Sequence, residues 1–260
     1  MALIECRFNS EILGLNTSMT VILPERSHSI GLNSSSFNGS HPTLFLLHGL
    51  TDDDSGWVRR TSIERYAAAL GIAVVMPQAH HSFYTDMAYG NRYWTFISEE
   101  LPQIARSFFP LSHAREDNFV AGLSMGGYGA MKLALRKPEH FIAAASLSGA
   151  LHMSNAAFKE DWKRTPFRYD LVFGDQDITG TDQDLLWLLK QCDQADGPKP
   201  MLYQCCGTED FLYEDNQEFR KICAETNLQL TYVESPGGHD WTYWDAKIQD
   251  VLNWLPLRKS

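Results

Sequence analysis

Five residues near the middle of the chain, Gly122-Leu-Ser-Met-Gly126, form the pattern G-x-S-x-G, in which a serine can act as a nucleophile. The segment before it, NFVAGL, has the apolar character of a buried strand, and the segment after it, GGYGAMKLALRK, has the character of a helix. A strand that turns directly into a helix holds the serine hydroxyl clear of the sheet. Glycines on either side remove the β-carbons that would collide across this turn. The pattern therefore predicts Ser124 as the nucleophile of an acyl-transfer reaction.

Two other interpretations fit a glycine-rich turn before a helix. The serine can occur there by chance, and GLSMGGYG has some likeness to a phosphate-binding loop. The segment lacks both G-x-G-x-x-G and a terminal Gly-Lys-Ser/Thr, which such loops use to hold phosphate groups. The strand-to-helix context favours the nucleophile.

The general base must be a histidine that can approach Ser124. In enzymes that use this turn, the chain order is serine, then an acid, then histidine, and three histidines follow Ser124: His140, His152 and His239. His140 comes too soon after the serine helix, and His152 opens a long irregular segment. His239 lies in the loop SPGGHDW after the last predicted strand, so it is the predicted base. The adjacent Asp240 is expected to have a structural role.

The acid is expected on the loop GTED, which ends at Asp210 and follows the preceding predicted strand. Glu209 competes with Asp210, and Asp215 lies further into the next helix. Either loop acid could instead cap that helix. We choose Asp210, since a carboxylate here would orient the imidazole ring and stabilise its protonated form.

Backbone amides are expected to stabilise the oxyanion. The N–H of Met125 lies at the start of the serine helix, and the N–H of Leu50 follows the turn His48-Gly49. His48 precedes Ser124, so it is given a positioning role. The acidic run Asp52–Asp54 is interpreted as a solvated loop, and no metal site is predicted.

Short apolar runs alternate with helical patterns along the chain, which predicts an α/β fold with a mostly parallel sheet covered on both faces. The predicted strands are Met19–Leu23, Thr43–His48, Ile72–Met76, Asn118–Leu123, Ile142–Leu147, Met201–Cys206 and Leu228–Val233. The predicted helices are Ser62–Leu70, Tyr93–Phe109, Gly126–Arg136, Glu214–Thr226 and Trp241–Leu255.

The length of 260 residues suits a single domain, 1–260. Residues 149–199 interrupt the alternation and contain one helical pattern, Asp182–Cys192. We interpret them as a lid-like insertion that narrows the site and limits it to short acyl groups. The insertion is rich in aromatic residues: Phe158, Trp162, Phe167, Tyr169, Phe173 and Trp187.

Composition and net charge disfavour nucleic acids, polyanions and membranes as partners. The net charge of −10 disfavours nucleic acids and polyanions, and no apolar run is long enough to cross a membrane. The N-terminus lacks the pattern of a secretion signal. Five cysteines without paired spacing predict free thiols and a cytoplasmic protein.

Five segments together resemble the esterase D and S-formylglutathione hydrolase superfamily, and within it most closely the bacterial tributyrin esterases. They are LFLLHGLTDDDSGWVRRTSIERYA, VVMPQAHHSFYTDMAYGNRYWTFISEELPQ, FVAGLSMGGYGAMKLALRKPEHF, CGTEDFLYEDN and GGHDWTYWD. The resemblance implies an α/β-hydrolase fold with Ser124, Asp210 and His239 as a catalytic triad. It also implies Leu50 and Met125 as oxyanion donors, no cofactor, and hydrolysis of short acyl esters.

Two departures favour a general carboxylesterase over a glutathione thioesterase. S-formylglutathione hydrolases tend to carry a cysteine soon after the HGL turn and a histidine before the serine. This chain has Thr51-Asp52-Asp53 and Leu123 there. Thioester hydrolysis, acyl transfer and a non-catalytic binding module remain the alternatives, and self-association into a homo-oligomer stays open.

Overall fold

The computed structural model describes residues 1–25, 39–156, 160 and 167–258, in which eight strands form one sheet. The order across the sheet is β1-β2-β4-β3-β5-β6-β7-β8. The strands are β1 (Ala2–Ser10), β2 (Leu15–Leu23), β3 (Thr43–Leu47), β4 (Ala73–Pro77), β5 (Asn118–Leu123), β6 (Ala143–Leu147), β7 (Met201–Gly207) and β8 (Leu230–Ser235).

The strands from β4 to β8 run parallel, and β1 and β2 extend the sheet by antiparallel pairing. Every residue of β3, β4, β5 and β6 is buried. This explains their continuous apolar sequences, because helices cover both faces of the central strands. The predicted α/β fold, with a mostly parallel sheet covered on both faces, is therefore confirmed.

Helices cover the two faces unequally. One face packs against α1 (Gly56–Arg60), α2 (Ile63–Leu70) and α9 (Trp241–Trp254), and the remaining helices cover the other. Those are α3 (Tyr93–Thr95), continued through a π-helical turn at Phe96–Glu100 into α4 (Leu101–Phe108), then α5 (Met125–Arg136), α6 (Tyr169–Phe173), α7 (Leu185–Gln194) and α8 (Tyr213–Cys223).

The sequence patterns do not predict β1, α1 and α6. Strand β1 is an edge strand whose alternate residues face solvent, including Leu3, Glu5 and Arg7, so it has no continuous apolar run. Helices α1 and α6 have five residues each, which is too short for a helical period to show.

The described part of the insertion is anchored to α5. The ring of Phe173 packs against Tyr128 with centroids 6.3 Å apart and against Tyr169 at 4.7 Å. The Tyr128 hydroxyl also donates to the carbonyl oxygen of Gln183 at 2.8 Å. Phe158 and Trp162, which the sequence analysis also assigned to this segment, lie outside the described residues.

All five cysteines lie in the described ranges and are free thiols. Within those ranges, the helices are too short or too polar for any of them to span a membrane.

Candidate active site

Ser124 is the single residue that joins β5 to α5, and its backbone is strained. Its φ of 53° and ψ of −117° lie where side chains larger than glycine are rare. A β-carbon on Gly122 would lie 2.3 Å from the carbonyl oxygen of Gly126, and one on Gly126 would lie 2.4 Å from that of Leu47. Both glycines are therefore required by close backbone approach, as the sequence pattern predicts.

The structure brings Ser124, His239 and Asp210 into one hydrogen-bonded chain. His239 lies in the loop between β8 and α9, and its Nε2 is 3.0 Å from the Ser124 hydroxyl oxygen. Its Nδ1 is 3.0 and 2.9 Å from the two carboxylate oxygens of Asp210, which follows β7. The Asp210 side chain is fully buried, while 17% of the His239 side chain is exposed. The histidine thus links a buried carboxylate to a hydroxyl at the mouth of the site.

The environment of Asp210 favours its anionic form. Burial acts to raise the pKa of this carboxyl, but the hydrogen bond from His239 and that from the Leu212 N–H, at 2.8 Å, outweigh burial and lower it. An ionised carboxylate can only accept hydrogen bonds, so Nδ1 of His239 must carry a proton. Nε2 is then free to accept the proton of the Ser124 hydroxyl.

The two competing acids have other partners. Glu209 accepts a hydrogen bond from the N–H of Gly237 through Oε2, and its own N–H donates to the Gly237 carbonyl oxygen at 3.1 Å. Asp215 accepts a hydrogen bond from Asn155 at 3.1 Å and lies 3.6 Å from His152. Only Asp210, of the three candidate acids, contacts His239.

The two amides predicted to bind an oxyanion flank Ser124. Met125 is the first residue of α5, and Leu50 lies on the turn after β3 that lines the same pocket as Ser124. Within the described ranges, no protein oxygen accepts a hydrogen bond from either N–H. Both donors are therefore available to a ligand.

His48 ties this turn to the neighbouring strand. Its Nε2 accepts a hydrogen bond from the N–H of Ala79 at 3.0 Å, its Nδ1 lies 2.6 Å from the Gly49 carbonyl oxygen, and its own carbonyl accepts from the Tyr84 hydroxyl at 2.9 Å. Burial lowers the pKa of His48 to about 4, although nearby hydrogen bonds and carboxylates act to raise it. The ring is neutral and holds the Leu50 turn in place.

A cavity of about 390 Å³ opens onto Ser124 and His239, and aromatic side chains form its walls. The rings of Phe211 and Trp244 lie 4.5 and 4.9 Å from the His239 ring, and Trp241 lies beside Trp244. Phe211 is 69% exposed. Sequence reasoning missed Phe211, whose only signal is an apolar residue directly after Asp210.

Described aromatic residues of the insertion lie elsewhere. Phe167 lines a separate cavity of about 340 Å³ with His80 and His81, and Trp187 lines a third cavity beside His152. The aromatic walls of the pocket at Ser124 are instead Phe211, in the loop after β7, and Trp241 and Trp244, in the first turn of α9.

The acids beside the pocket have distinct contacts. Asp53 accepts hydrogen bonds from the Ser55 N–H and hydroxyl, and Asp54 accepts from two hydroxyls of β2. Asp52 lines the pocket itself. Asp240 caps α9 by accepting from the Tyr243 N–H at 3.0 Å, the structural role expected for it. In the described ranges, His, Cys, Asp and Glu side chains form no group of three or more that could hold a metal ion.

Comparisons with known proteins agree with this architecture. Residues 10–255 match the model of the Esterase family, described as "Putative esterase". The chain is 31% identical over 261 residues to an acetyl esterase of Caldicellulosiruptor saccharolyticus, with 98% of both chains covered.

Two solved structures from Staphylococcus aureus are similar throughout. The fluorophosphonate-binding serine hydrolase FphF is 38% identical with a TM-score of 0.89, covering 99% of both chains. The S-formylglutathione hydrolase FrmB is 38% identical with a TM-score of 0.85, covering 98% of both. The resemblance identified from the sequence segments is thereby confirmed: the chain belongs to the esterase family, in the esterase D and S-formylglutathione hydrolase superfamily of α/β-hydrolases.

Proposed function

We propose that this protein is a serine carboxylesterase that hydrolyses short acyl esters through a covalent acyl-enzyme. Ser124 is the nucleophile, His239 the general base and acid, and Asp210 the carboxylate that orients the imidazole ring. The observation that carries the proposal is the hydrogen-bonded chain from Asp210 through His239 to a serine on a strained strand-to-helix turn.

In the first half of the reaction, the Ser124 hydroxyl oxygen attacks the ester carbonyl carbon while Nε2 of His239 takes the hydroxyl proton. The carbonyl oxygen becomes an oxyanion and accepts hydrogen bonds from the N–H groups of Leu50 and Met125. The bond from the carbonyl carbon to the alcohol oxygen then breaks. The protonated histidine gives its proton to the departing alcohol, which leaves the acyl group on Ser124.

In the second half, a water molecule attacks the acyl carbon and His239 takes one of its protons. The bond between this carbon and the Ser124 oxygen breaks, His239 returns the proton to that oxygen, and the carboxylic acid leaves. Asp210 remains ionised throughout and stabilises the positive charge that His239 carries in each half.

A preference for short acyl groups is supported by two observations. The cavity at Ser124 is small and has the rings of Phe211, Trp241 and Trp244 along its sides. A relative that matches almost the whole chain is named an acetyl esterase.

S-formylglutathione hydrolysis is the second candidate. Its support is the similarity to a Staphylococcus aureus protein of that name over 98% of both chains. A thioester would react by the same steps with a thiol as the leaving group. Steady-state kinetics with S-formylglutathione and p-nitrophenyl acetate, run on the same preparation, separate the two candidates by their kcat/KM ratio.

A fluorophosphonate probe tests the proposed nucleophile. We expect the wild-type protein to be labelled covalently and Ser124→Ala to lose both labelling and, by a factor of about 10⁴ or more, turnover of p-nitrophenyl acetate. Ser107→Ala, which changes an exposed serine of α4, is the control and should remain labelled. Retention of more than about a tenth of wild-type turnover by Ser124→Ala would contradict the assignment.

A further inference from the structure

A carboxylate that the proposed mechanism does not use lies in the pocket at Ser124. Asp52 lines this cavity, two residues after Leu50. The position that a β-carbon would take on Gly49 is 3.4 Å from Asp52 Oδ2 and 3.7 Å from Ser124 Cβ. Asp52 Oδ2 is therefore within about 7 Å of Ser124 Cβ. A carboxylate charge this close to the nucleophile interacts electrostatically with any charged substrate at the site.

Within the described ranges, the side chain of Asp52 accepts no hydrogen bond and has no Lys, Arg or His nitrogen within 4.0 Å. Arg60 acts on it through a longer-range charge interaction. The next two acids are engaged by hydroxyl and amide donors, as described above. Partial burial is the main cause that raises the pKa of the Asp52 carboxyl. The charge of Arg60 acts to lower this pKa, and the negative charge of Asp53 acts to raise it.

None of the described residues that line the cavity is a lysine or an arginine. Asp240, a second acid of the lining, is engaged as the cap of α9, and the aromatic rings of Phe211, Trp241 and Trp244 line the cavity with it. A carboxylate beside aromatic rings is a combination that attracts organic cations, above all quaternary ammonium groups.

We propose that Asp52 is a specificity-determining residue that makes this esterase favour substrates with a positive charge close to the ester group over neutral substrates of the same shape. The proposal rests on the proposed esterase function. It assigns the ligand class as esters of cationic alcohols or cationic acids.

The size of the effect follows from Coulomb's law. Two charges about 6 Å apart in a half-exposed site, at an effective dielectric constant of about 40, give roughly a tenfold preference. The same field acts against anionic substrates, and S-formylglutathione carries carboxylates.

The test uses two esters that differ only in charge. Acetylcholine and 3,3-dimethylbutyl acetate have the same shape, with a quaternary nitrogen in one replaced by carbon in the other. The value of kcat/KM for each is measured at pH 8 by titration of the released acid, for wild type and for Asp52→Asn. The readout is the ratio of kcat/KM for the cationic ester to kcat/KM for the neutral ester, taken for each protein. A general loss of turnover cancels within this ratio. The intrinsic reactivities of the two esters cancel when the ratios of wild type and variant are compared.

We expect the ratio to fall about tenfold in Asp52→Asn and to stay near the wild-type value in Asp54→Asn, which removes the same charge from a neighbouring side chain directed at β2. Asp52→Glu should restore most of the ratio, and Asp52→Ser provides a second neutral variant if Asp52→Asn fails to fold. A ratio that changes less than twofold in the neutral variants would overturn the proposal.

Two further outcomes are distinguishable. A second pair of esters, the p-nitrophenyl esters of 4-(trimethylammonio)butyrate and 5,5-dimethylhexanoate, places the charge on the acyl side. The pair whose cationic-to-neutral ratio falls more in Asp52→Asn shows which part of the substrate faces Asp52. Failure of the wild-type protein to hydrolyse any of the four esters would instead overturn the proposed esterase function, and with it this inference.

Discussion

Two neighbouring acids at the end of β7 have different tasks. Asp210 is buried and faces the imidazole ring, whereas Glu209 faces outward and bonds the loop that carries His239. The hydrogen bond from the Gly237 N–H to Glu209 lowers the pKa of this carboxyl. Glu209 therefore contacts the backbone of the loop that carries His239 and not its imidazole ring.

Substitutions at these two positions should separate the roles. We expect Asp210→Asn to lower kcat by about 10³ to 10⁴, because an amide can donate to Nδ1 and thereby favour the wrong tautomer of His239. Glu209→Gln keeps an oxygen that can accept from the Gly237 N–H, so its kcat should fall less than about tenfold. Steady-state kinetics with p-nitrophenyl acetate measure both. The reverse ranking would show that Glu209 is the acid.

His48 makes the stability of the fold depend on pH. Its pKa is lowered to about 4 in the folded protein because the ring is buried, so the unfolded chain binds a proton more readily. A lowered histidine pKa contributes stability above the unfolded value of about 6.5, and this contribution is lost as the pH falls towards 4.

A comparison with His48→Gln isolates this contribution. Glutamine can accept a hydrogen bond from the Ala79 N–H and does not titrate. When the pH is lowered from 7 to 5, the unfolding free energy of wild type should therefore fall by about 2 kcal/mol more than that of the variant. Urea unfolding at both pH values measures it. A difference that is constant with pH would mean that folding leaves the pKa of His48 unchanged.

At the scale of elements, the ends of β7 and β8 approach each other so closely that the backbone itself positions His239. A β-carbon on Gly207 would lie 2.0 Å from the carbonyl oxygen of Gly237. The N–H of Thr208 donates to the Ser235 carbonyl oxygen at 3.1 Å, which closes the same junction. The acid loop and the histidine loop are therefore packed directly against each other.

A pair of glycine substitutions tests this contact. Gly207→Ala must displace the Gly237 carbonyl and with it His239, so we expect kcat to fall by about 10² or more. Gly238→Ala is the matched control in the same loop, since its β-carbon would meet only Asp240 Oδ2 at an ordinary 3.6 Å. Its kcat should stay within a few-fold of wild type. Equal losses in the two variants would rule out the close contact as the cause.

For the whole molecule, the parallel sheet brings together four loops that are far apart in the chain. Leu50, Ser124, Asp210 and His239 follow β3, β5, β7 and β8, and all four lie at the carboxyl ends of these strands. The cavity of about 390 Å³ exists only where these loops meet. The dimensions of this cavity are therefore determined by how the loops pack in the folded protein.

The size of this cavity predicts the acyl preference. Each methylene that fits contributes up to about 0.8 kcal/mol, and overpacking beyond the wall costs about 1–3 kcal/mol. We expect kcat/KM on p-nitrophenyl esters to be highest between acetyl and about hexanoyl and then to fall steeply. Trp241→Ala, which removes one wall, should move the maximum to longer chains. Wild-type rates that still rise from octanoyl to palmitoyl would indicate an open groove.

Much of the fold and the position of the turn at Ser124 follow from the sequence alone, because they rest on local physics. Strands buried on both faces need continuous apolar runs, and the central strands β3, β4, β5 and β6 have them. The turn at Ser124 needs glycines at Gly122 and Gly126, where backbone atoms approach too closely for a side chain. The apolar runs and the close approach of Gly122 to Gly126 depend on neighbours in the chain, whereas the close approach of Gly126 to Leu47 forms only when β3 lies beside β5.

Other features were decided by tertiary structure. Local sequence places Asp210 and Glu209 side by side, but only the packing of the β7 and β8 loops determines which carboxylate is buried against His239. It also turns Phe211 and Asp52 into the cavity and directs Phe167 to a different one. The direction of a loop side chain depends on contacts with distant segments, and these contacts exist only once the sheet has brought the strand ends together.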